Sequence, residues 1–335
     1  ILIQAYPDEI GKMGFETRRD AFCGKFSIED VFYQYGVKFT AMKPHVVHPL
    51  SVEFAENLQE FAAVCRVVKG MKRFTVGCIG ARTTKFKTVR FDEIALQKYG
   101  ITVESFDLSE LIYKVGLMQG DDPKVQAKAD RLREYTNCSR VPEDKMLILS
   151  KIGVILDEYI RGFVASCEID LCSAITMYGM QLASQYPTAC LDWNNNYGTE
   201  KDKVILFHCG PVAQSLMTDK GIVTDHKMFS KNNPGCGWGS NEGRIRPFTM
   251  TYSNCRTENG KLLVYVSEGE FLSDPIEDAY FGCAGVAQIK DLEDKLLKLG
   301  RGGFKHHTTV GMGKMKNILE EAFGYYLGYE MVSID

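Results

Sequence analysis

The sequence predicts an α/β protein in which a parallel α/β part precedes a β-rich part. Short apolar runs bounded by turn residues alternate with amphipathic helical patterns in the first half, which is typical of parallel strands covered by helices. From residue 188 onward, strands with alternating apolar and polar residues follow one another instead. We therefore predict a parallel, Rossmann-like central domain over 1–185 and a β-rich, barrel-like C-terminal domain over 186–335.

Local signals place the elements of the first part. The apolar stretch 1–6 predicts a strand that Pro7 closes, and Ser27 as N-cap predicts a helix over 27–36. Apolar residues recur at three- and four-residue steps over 52–71, which predicts an amphipathic helix ended by Gly70. The further predicted elements are a strand at 73–80, a helix at 91–100, a strand at 101–108 and a helix at 167–184.

The pattern of the second part predicts antiparallel β-structure. The segments "RIRPFTMTYSN" and "KLLVYVSEGEF" alternate apolar and polar residues on either side of "CRTENG", which predicts a hairpin. We predict mostly antiparallel strands over 188–300, and a helix in the closing segment "KMKNILEEAFGYYLG".

Composition excludes several classes of function. A formal net charge of −3 leaves no global basic field, so we expect no nucleic-acid partner. No apolar run approaches the ~18 residues of a spanning helix, so we expect a soluble protein with no membrane partner. The eleven cysteines include no C-x-x-C pair and are scattered through apolar stretches. They are typical of buried free thiols in a reducing compartment, and we expect a cytoplasmic location.

The segment "GCIGARTTKF" (77–86) leaves a predicted strand at its carboxyl end, where ligands bind in parallel sheets. It is neither G-x-G-x-x-G nor a P-loop, so the favoured interpretation is a strand-to-loop turn rather than a nucleotide site. Another ligand contact remains open for this loop.

Polar residues in apolar or glycine-rich settings form the candidate site. The stretch "ACLDWNNNYG" places Asp192 at a predicted strand end, before an aromatic ring and three asparagines. Glu168 opens the helix at 167–184, His208 follows an apolar strand in "VILFHCG", and the pair His306 and His307 lies in "GFKHHTTVG".

Each of these residues also has a structural explanation. A carboxylate at a helix start interacts favourably with the helix dipole, and a lone histidine at a strand end is usually a satisfied packing residue. Adjacent histidines on a strand point to opposite faces, so one of them is expected at a given site. Together they offer the oxygen and nitrogen ligands that suit a divalent metal such as Mn²⁺. Their spacing is not a local signature, so residue chemistry alone leaves both interpretations open.

Several motifs together resemble one family. They are "QAYPDEIGKMGFETRRDAFCGK", "FAAVCRVVKGM", "GCIGARTTKFKTVRFDE", "ACLDWNNNYG", "FHCG", "GEFLSDP" and "GFKHHTT". They resemble the L-fucose isomerase and L-arabinose isomerase superfamily, closest to its fucose-isomerase-related branch, over essentially the whole chain. The resemblance implies the central and C-terminal domains of a three-domain protein, with the first domain absent.

The resemblance implies a metal-dependent aldose–ketose isomerase that converts a pentose or 6-deoxyhexose through an ene-diol intermediate. Glu168 and Asp192 match metal-binding acids that also serve as the acid–base pair, and His307 matches the metal-binding histidine. His208 resembles a further metal ligand of the arabinose branch. Sugar contacts are expected from Trp193, Asn194 and His306.

Further expectations follow from the same resemblance. We expect a homo-oligomer, a trimer or hexamer, in which the loops 80–86 or 15–22 approach a neighbour's site or the sugar. Asp170 lies about 200° round the helix from Glu168, so we expect it to be dispensable for turnover. The alternatives are a metal-dependent sugar lyase or epimerase on the same scaffold, or a non-catalytic sugar-binding protein.

Overall fold

The structure, a computed structural model, describes residues 1–80, 82, 85–160, 170–210, 212–227, 230–276 and 282–335, and the backbone alone of 164–165 and 228–229. Among the helices in these ranges, none combines the length and apolarity needed to cross a bilayer. Cys167 lies outside the described residues. The other cysteines form no disulfide, and six of them are buried, as the sequence predicts for free thiols.

The first half alternates helices with parallel strands, as predicted. Its elements are β1 (Leu2–Ala5), α1 (Ala21–Gln34), β2 (Thr40–Val46), α2 (Val52–Met71), β3 (Phe74–Ile79), α3 (Glu93–Lys98), β4 (Ile101–Phe106), α4 (Leu108–Leu117), α5 (Pro123–Tyr135), α6 (Glu143–Ile160), β5 (Val164–Ala165) and α7 (Leu171–Ser184). Strand β1 pairs with β2, and β3 lies between β4 and β5, all in parallel. In the described residues these are two separate small sheets, so a single Rossmann-like sheet is not confirmed.

Helix boundaries follow from capping side chains. Ser51 accepts a hydrogen bond from the N–H of Phe54 at the start of α2, a helix that the apolar periodicity predicts. The prediction for α1 is wrong at its start, because the helix begins at Ala21 and Ser27 lies inside it. The Ser27 hydroxyl donates to the carbonyl of Cys23 instead of capping.

The second half is β-rich, as predicted. Its strands are β6 (Thr188–Tyr197), β7 (Lys203–His208), β8 (Ile222–Asp225), β9 (Trp238–Arg244), β10 (Phe248–Glu258), β11 (Lys261–Leu272), β12 (Cys283–Gln288), β13 (His307–Met312) and β14 (Glu330–Met331). Short helices α8 (Lys227–Ser230), α9 (Leu292–Arg301) and α10 (Lys316–Leu319) connect them or follow them. The predicted hairpin is β10–β11, which turns at Asn259 and Gly260, both at positive φ.

The strands of the second half join in one large mixed sheet. Their order is β14-β11-β10-β13-β6-β7-β12-β9-β8, and β11 also pairs with β12. Most neighbours are antiparallel, whereas β14 and β9 run parallel to their partners β11 and β12. Closure of this sheet into a barrel stays a prediction, as does the domain division at residue 185.

Helix α7 connects the two halves of the core. It packs against α2 on one side and against β6, β10 and β13 on the other. Leu171, Ile175 and Met180 of this helix are fully buried. Burying a large aliphatic side chain contributes about 1.5–3 kcal/mol, so this helix is a main source of cohesion between the halves. The same packing holds its first turn against the sheet.

Gly100, between α3 and β4, has a backbone conformation that residues with a side chain rarely adopt. Its φ is +78°, and an added Cβ would lie 2.2 Å from the carbonyl oxygen of Lys72. We predict that Gly100→Ala lowers the free energy of unfolding by at least ~1–2 kcal/mol, the cost of a left-handed L-residue. Thermal and denaturant unfolding measure this loss.

The matched control is Gly116→Ala in α4, where no atom lies within 4 Å of the added Cβ. Because alanine is favoured over glycine in helices, this variant should be neutral or stabilised by up to ~1 kcal/mol. Equal stability losses in both variants would contradict the structure around Gly100.

Candidate metal centre

The start of α7 carries a fully buried carboxylate. Asp170 caps the helix by accepting from the N–H of Ser173 at 3.3 Å, and the Ser173 hydroxyl donates to its Oδ2 at 2.7 Å. Lys305 Nζ lies 2.5 Å from Asp170 Oδ1, and His307 Nδ1 lies 2.7 Å from Asp170 Oδ2. One carboxylate therefore holds the helix start, a lysine and a histidine together.

The ion pair keeps Asp170 ionised. Burial alone would raise its pKa, but the hydrogen bond from His307 and the charge of Lys305 lower the pKa of Asp170 well below its usual range. Burial likewise opposes the charge of Lys305, whereas the neighbouring Cys172 and Asp170 raise the pKa of Lys305 overall. Both groups are charged near neutral pH, in a position closed to solvent.

The second carboxylate comes from the sheet. Asp192 on β6 and His307 on β13 are direct cross-strand partners, so their side chains lie on the same face. Asp192 Oδ1 is 3.3 Å from His307 Nε2. The predicted strand end at Asp192 is wrong, because β6 continues through the asparagines to Tyr197 with an irregular register against β7.

His306 joins the same group. Its Nε2 lies 3.6 Å from Asp192 Oδ1, and its ring centroid is 4.1 Å from that of His307. One ligand atom from each of Asp192, His306 and His307 lies within 4.8 Å of the others. We expected adjacent histidines on a strand to point to opposite faces. This does not hold for His306, because it precedes the first residue of β13 and strand alternation does not apply to it.

The arrangement of charges fits a cation. A carboxylate can only accept, so the contact with Asp170 places a proton on Nδ1 of His307. Nε2 of the same ring lies 3.3 Å from a carboxylate oxygen of Asp192. Two electron-pair donors at this distance repel unless a proton or a metal ion lies with them. The oxygen and nitrogen donors of this group suit a divalent metal.

Phe86 brings the loop after β3 to this centre. Its ring centroid lies 5.6 Å from that of His306 and 6.2 Å from that of His307. Within the loop 80–86, residues 81, 83 and 84 lie outside the described residues. Phe86 thus lies beside the histidines of its own chain, and the approach of this loop to a neighbour's site or to the sugar stays a prediction.

The structure places the other predicted site residues as follows. Glu168 lies outside the described residues, so its role stays a prediction. His208 is not one of the three residues of the triad, and Phe207 is the cross-strand partner of Asp192. The role of His208 as a metal ligand stays a prediction. Asn194 is exposed and lies two residues after Asp192 on β6.

Trp193 faces away from Asp192. Its ring packs edge-on against Tyr252 with a centroid distance of 5.7 Å, among the buried side chains of the sheet. Its backbone N–H donates to the carbonyl of His306 at 3.0 Å, which ties β6 to the histidine pair. The half-buried indole therefore has a packing role, and its predicted sugar contact stays a prediction.

Three residues that hold His307 in place, directly or through a neighbour, were not predicted from the sequence. Asp170 was expected to be dispensable because of its helical angle from Glu168, but the helix begins only at Leu171, so that angle does not apply. Lys305 gave no signal beyond adjacency to the histidines. Asn254 of β10 is fully buried and donates to the carbonyl of His307 at 2.6 Å. A polar residue inside an apolar strand was the available signal for Asn254.

Comparison with known families agrees with this geometry. Residues 1–72 match the model of the fucose/sulfoquinovose isomerase N-terminal domain, and residues 206–335 match that of the L-fucose isomerase C-terminal domain. The chain belongs to the fucose isomerase-related family. No curated protein matches it. As a family member it is a sugar isomerase by type, and the N-terminal match covers residues that the sequence prediction gave to a central domain.

The position of His208 outside the triad gives a test of the metal centre. We predict that His307→Gln lowers Mn²⁺ affinity at least ~10-fold, because it removes the nitrogen beside Asp192. His208→Gln should leave the affinity within about twofold, since it lies outside the triad. Calorimetric or EPR titration of each purified variant measures this. Equal losses in both variants would return His208 to the site.

Proposed function

We propose that the protein is a metal-dependent aldose–ketose isomerase acting on a pentose or 6-deoxyhexose of the L-fucose, D-arabinose or L-arabinose type through an ene-diol intermediate. One observation carries the proposal: Asp192, His306 and His307 converge within 4.8 Å in a chain of the fucose isomerase-related family. Family membership supports sugar isomerisation, and the converging donors support its dependence on a divalent metal.

We propose Mn²⁺, or another divalent ion with similar ligand preference, as the cofactor. Asp192 and His307 would hold it, with Glu168 as a further ligand by resemblance. When bound, such an ion polarises the sugar carbonyl and stabilises negative charge that develops on the C1 and C2 oxygens. The mixed donor set supports this choice, because carboxylate and imidazole together suit borderline divalent metals.

The chain's own residues supply proton transfer. Isomerisation removes a proton from one of the two carbons C1 and C2 and returns it to the other, while a hydroxyl proton is exchanged. Asp192 is 22% exposed and so can meet a substrate while it touches His307. We propose Asp192 and Glu168 as the acid–base pair. His306, with 40% exposure, and the exposed Asn194 would contact sugar hydroxyls.

A sugar panel tests the proposal directly. Protein stripped with EDTA and reloaded with Mn²⁺ should interconvert at least one aldose among L-fucose, D-arabinose and L-arabinose with its ketose. Detection by NMR or by a ketose assay distinguishes isomerisation from epimerisation and from carbon–carbon cleavage. Sugar binding without turnover at saturating Mn²⁺, or a product other than the ketose, would contradict the assignment.

Asp192→Asn separates metal binding from proton transfer. The swap keeps side-chain size, so we predict that the fold survives while kcat falls by ~10²–10⁴-fold, the usual loss for a positioned acid or base. Excess Mn²⁺ should restore occupancy without restoring the rate. The control is Asp202→Asn on the same hairpin, whose carboxylate accepts from Gln288 away from the triad. Full turnover of Asp192→Asn in excess Mn²⁺ would make Asp192 a ligand only.

We also propose a homo-oligomer, a trimer or hexamer. Helix α1 and the loop before it expose large apolar side chains, among them Phe15, Phe26 and Tyr33. Burial of such side chains between subunits removes apolar surface from water. Light scattering at assay concentration measures the mass, and full activity at the mass of one chain would refute the proposal.

A further inference from the structure

We propose that the cavity between the α5–α6 hairpin and the strands β8 and β9 binds a small amphipathic acid that has an alkyl or aryl body and one carboxylate. The cavity has a volume of about 520 Å³. Small-molecule sites commonly have volumes of about 300–1,000 Å³, so a ligand of this class fits. Among the described residues, none that lines the cavity belongs to the triad of Asp192, His306 and His307. The proposed site is therefore separate from the metal centre.

The wall of the cavity is largely aliphatic. Both helices of the hairpin and strand β8 contribute side chains to it: Leu132, Met146, Leu149, Ile152, Leu156 and Val223. Gly153, Ala213 and Gly239 also line it, and none of these three carries a side chain larger than a methyl group. A wall of this composition suits an apolar ligand body, because its burial removes apolar surface from water.

Two polar side chains of the wall already bind the backbone. The Asn241 amide donates to the carbonyl of Val212 at 3.2 Å and accepts from the N–H of the same residue at 3.1 Å. The Thr136 hydroxyl donates to the carbonyl of Gly221 at 2.7 Å. A sugar in this cavity would leave most of its hydroxyls without hydrogen bonds, which is costly in a largely apolar site. The wall therefore favours an alkyl or aryl body over a sugar.

The edge of the cavity carries an excess of positive charge. Lys128 and Asp157 both line the cavity, and Lys128 Nζ lies 2.5 Å from Asp157 Oδ2. The Asp157 side chain is 47% exposed, so this ion pair lies at the edge. Arg131 Nη1 lies 3.9 Å from the same carboxylate oxygen. Two cations thus share one carboxylate, and a ligand carboxylate beside them would balance the excess.

The charge of Lys128 is held at the end of an apolar stem. Its stem lies across Gly153 of α6, where an added Cβ would be 3.1 Å from Lys128 Cδ. Lysine stems pack along apolar surface while the ammonium group stays at its edge. An apolar wall that ends at a cation is complementary to a molecule with an apolar body and a carboxylate at one end.

Decanoate, kept below the concentration at which it forms micelles, is the probe. Titration calorimetry should show saturable binding of one decanoate per chain. In Lys128→Met, decanoate affinity should fall at least about threefold, because one cation is lost while Asp157 keeps its charge. The affinity for decanol, which carries no charge, should stay within about twofold. The control is Lys261→Met, which breaks an exposed pair whose Nζ lies 2.7 Å from Glu330 Oε2, and both affinities should be unchanged in it.

A second variant fills the cavity. Ala213→Phe places an aromatic ring at the wall, so decanoate affinity should fall at least ~10-fold, the effect of leaving about two CH₂ groups unburied. Its matched control is Ala127→Phe, the same change at an exposed position of α5 that does not line the cavity. This control should bind decanoate like the wild type. Thermal unfolding of each variant verifies that it is folded.

A chemical reading locates the ligand. Cys138 lines the cavity and is half-buried, whereas Cys65 on α2 is exposed. At twice its dissociation constant, decanoate should slow the modification of Cys138 by N-ethylmaleimide about threefold and leave that of Cys65 unchanged. Peptide mass spectrometry measures both rates in the wild type, so this reading still decides if Ala213→Phe fails to fold.

The absence of saturable decanoate binding by the wild type would overturn the proposal, as would wild-type affinity in folded Ala213→Phe. Tighter binding of decylammonium than of decanoate would refute the assignment of a carboxylate. Equal protection of Cys138 and Cys65 would mean that decanoate binds only as a detergent. A smaller assembly of Ala213→Phe by light scattering, with no decanoate bound to the wild type, would assign the cavity to a second copy of this chain instead.

Discussion

The contact of His307 with a carboxylate on each side is the constraint on which the rest of the centre depends. Asp170 approaches Nδ1 from the start of α7, and Asp192 approaches Nε2 from the neighbouring strand. The first contact places a proton on Nδ1, because an ionised carboxylate only accepts, and the second brings a carboxylate oxygen beside Nε2. A carboxylate oxygen and a ring nitrogen at this distance favour a proton or a metal ion beside them, and the oxygen and nitrogen donors suit a divalent metal.

Tertiary packing places these groups together. The Asp192–His307 register is set by the antiparallel pairing of β6 with β13, and a slip of one residue would turn either side chain to the opposite face. Helix α7 is held against β13 by apolar burial and by the hydroxyls of Thr176 and Thr309, which lie 2.8 Å apart. Arg66 of α2 donates to the last carbonyls of α7 at Leu182 and Ala183. Both ends of the helix are therefore anchored by polar contacts.

Burial separates the roles of the charged groups in this centre. Asp170 and Lys305 are closed to solvent and interact with protein atoms, whereas Asp192 and His306 keep part of their surface exposed. A group that holds another side chain is most effective in low dielectric, where its hydrogen bonds are strong. A group that exchanges protons or contacts a sugar has to remain accessible. The centre thus combines a closed supporting side with an open reacting side.

The sequence by itself determined the alternation of helices and parallel strands, the β-rich second half, and the motifs around Asp192 and His307. Periodicity, capping and turn residues are local signals, and they act within a few residues of each other. The structure alone decided that β6 passes through the asparagines, that Trp193 packs against Tyr252, that Phe207 pairs with Asp192 and that Asp170 contacts His307. These outcomes depend on strand register and on the exact start of α7. Both are set by partners distant in the chain, such as β13, so no local pattern encodes them.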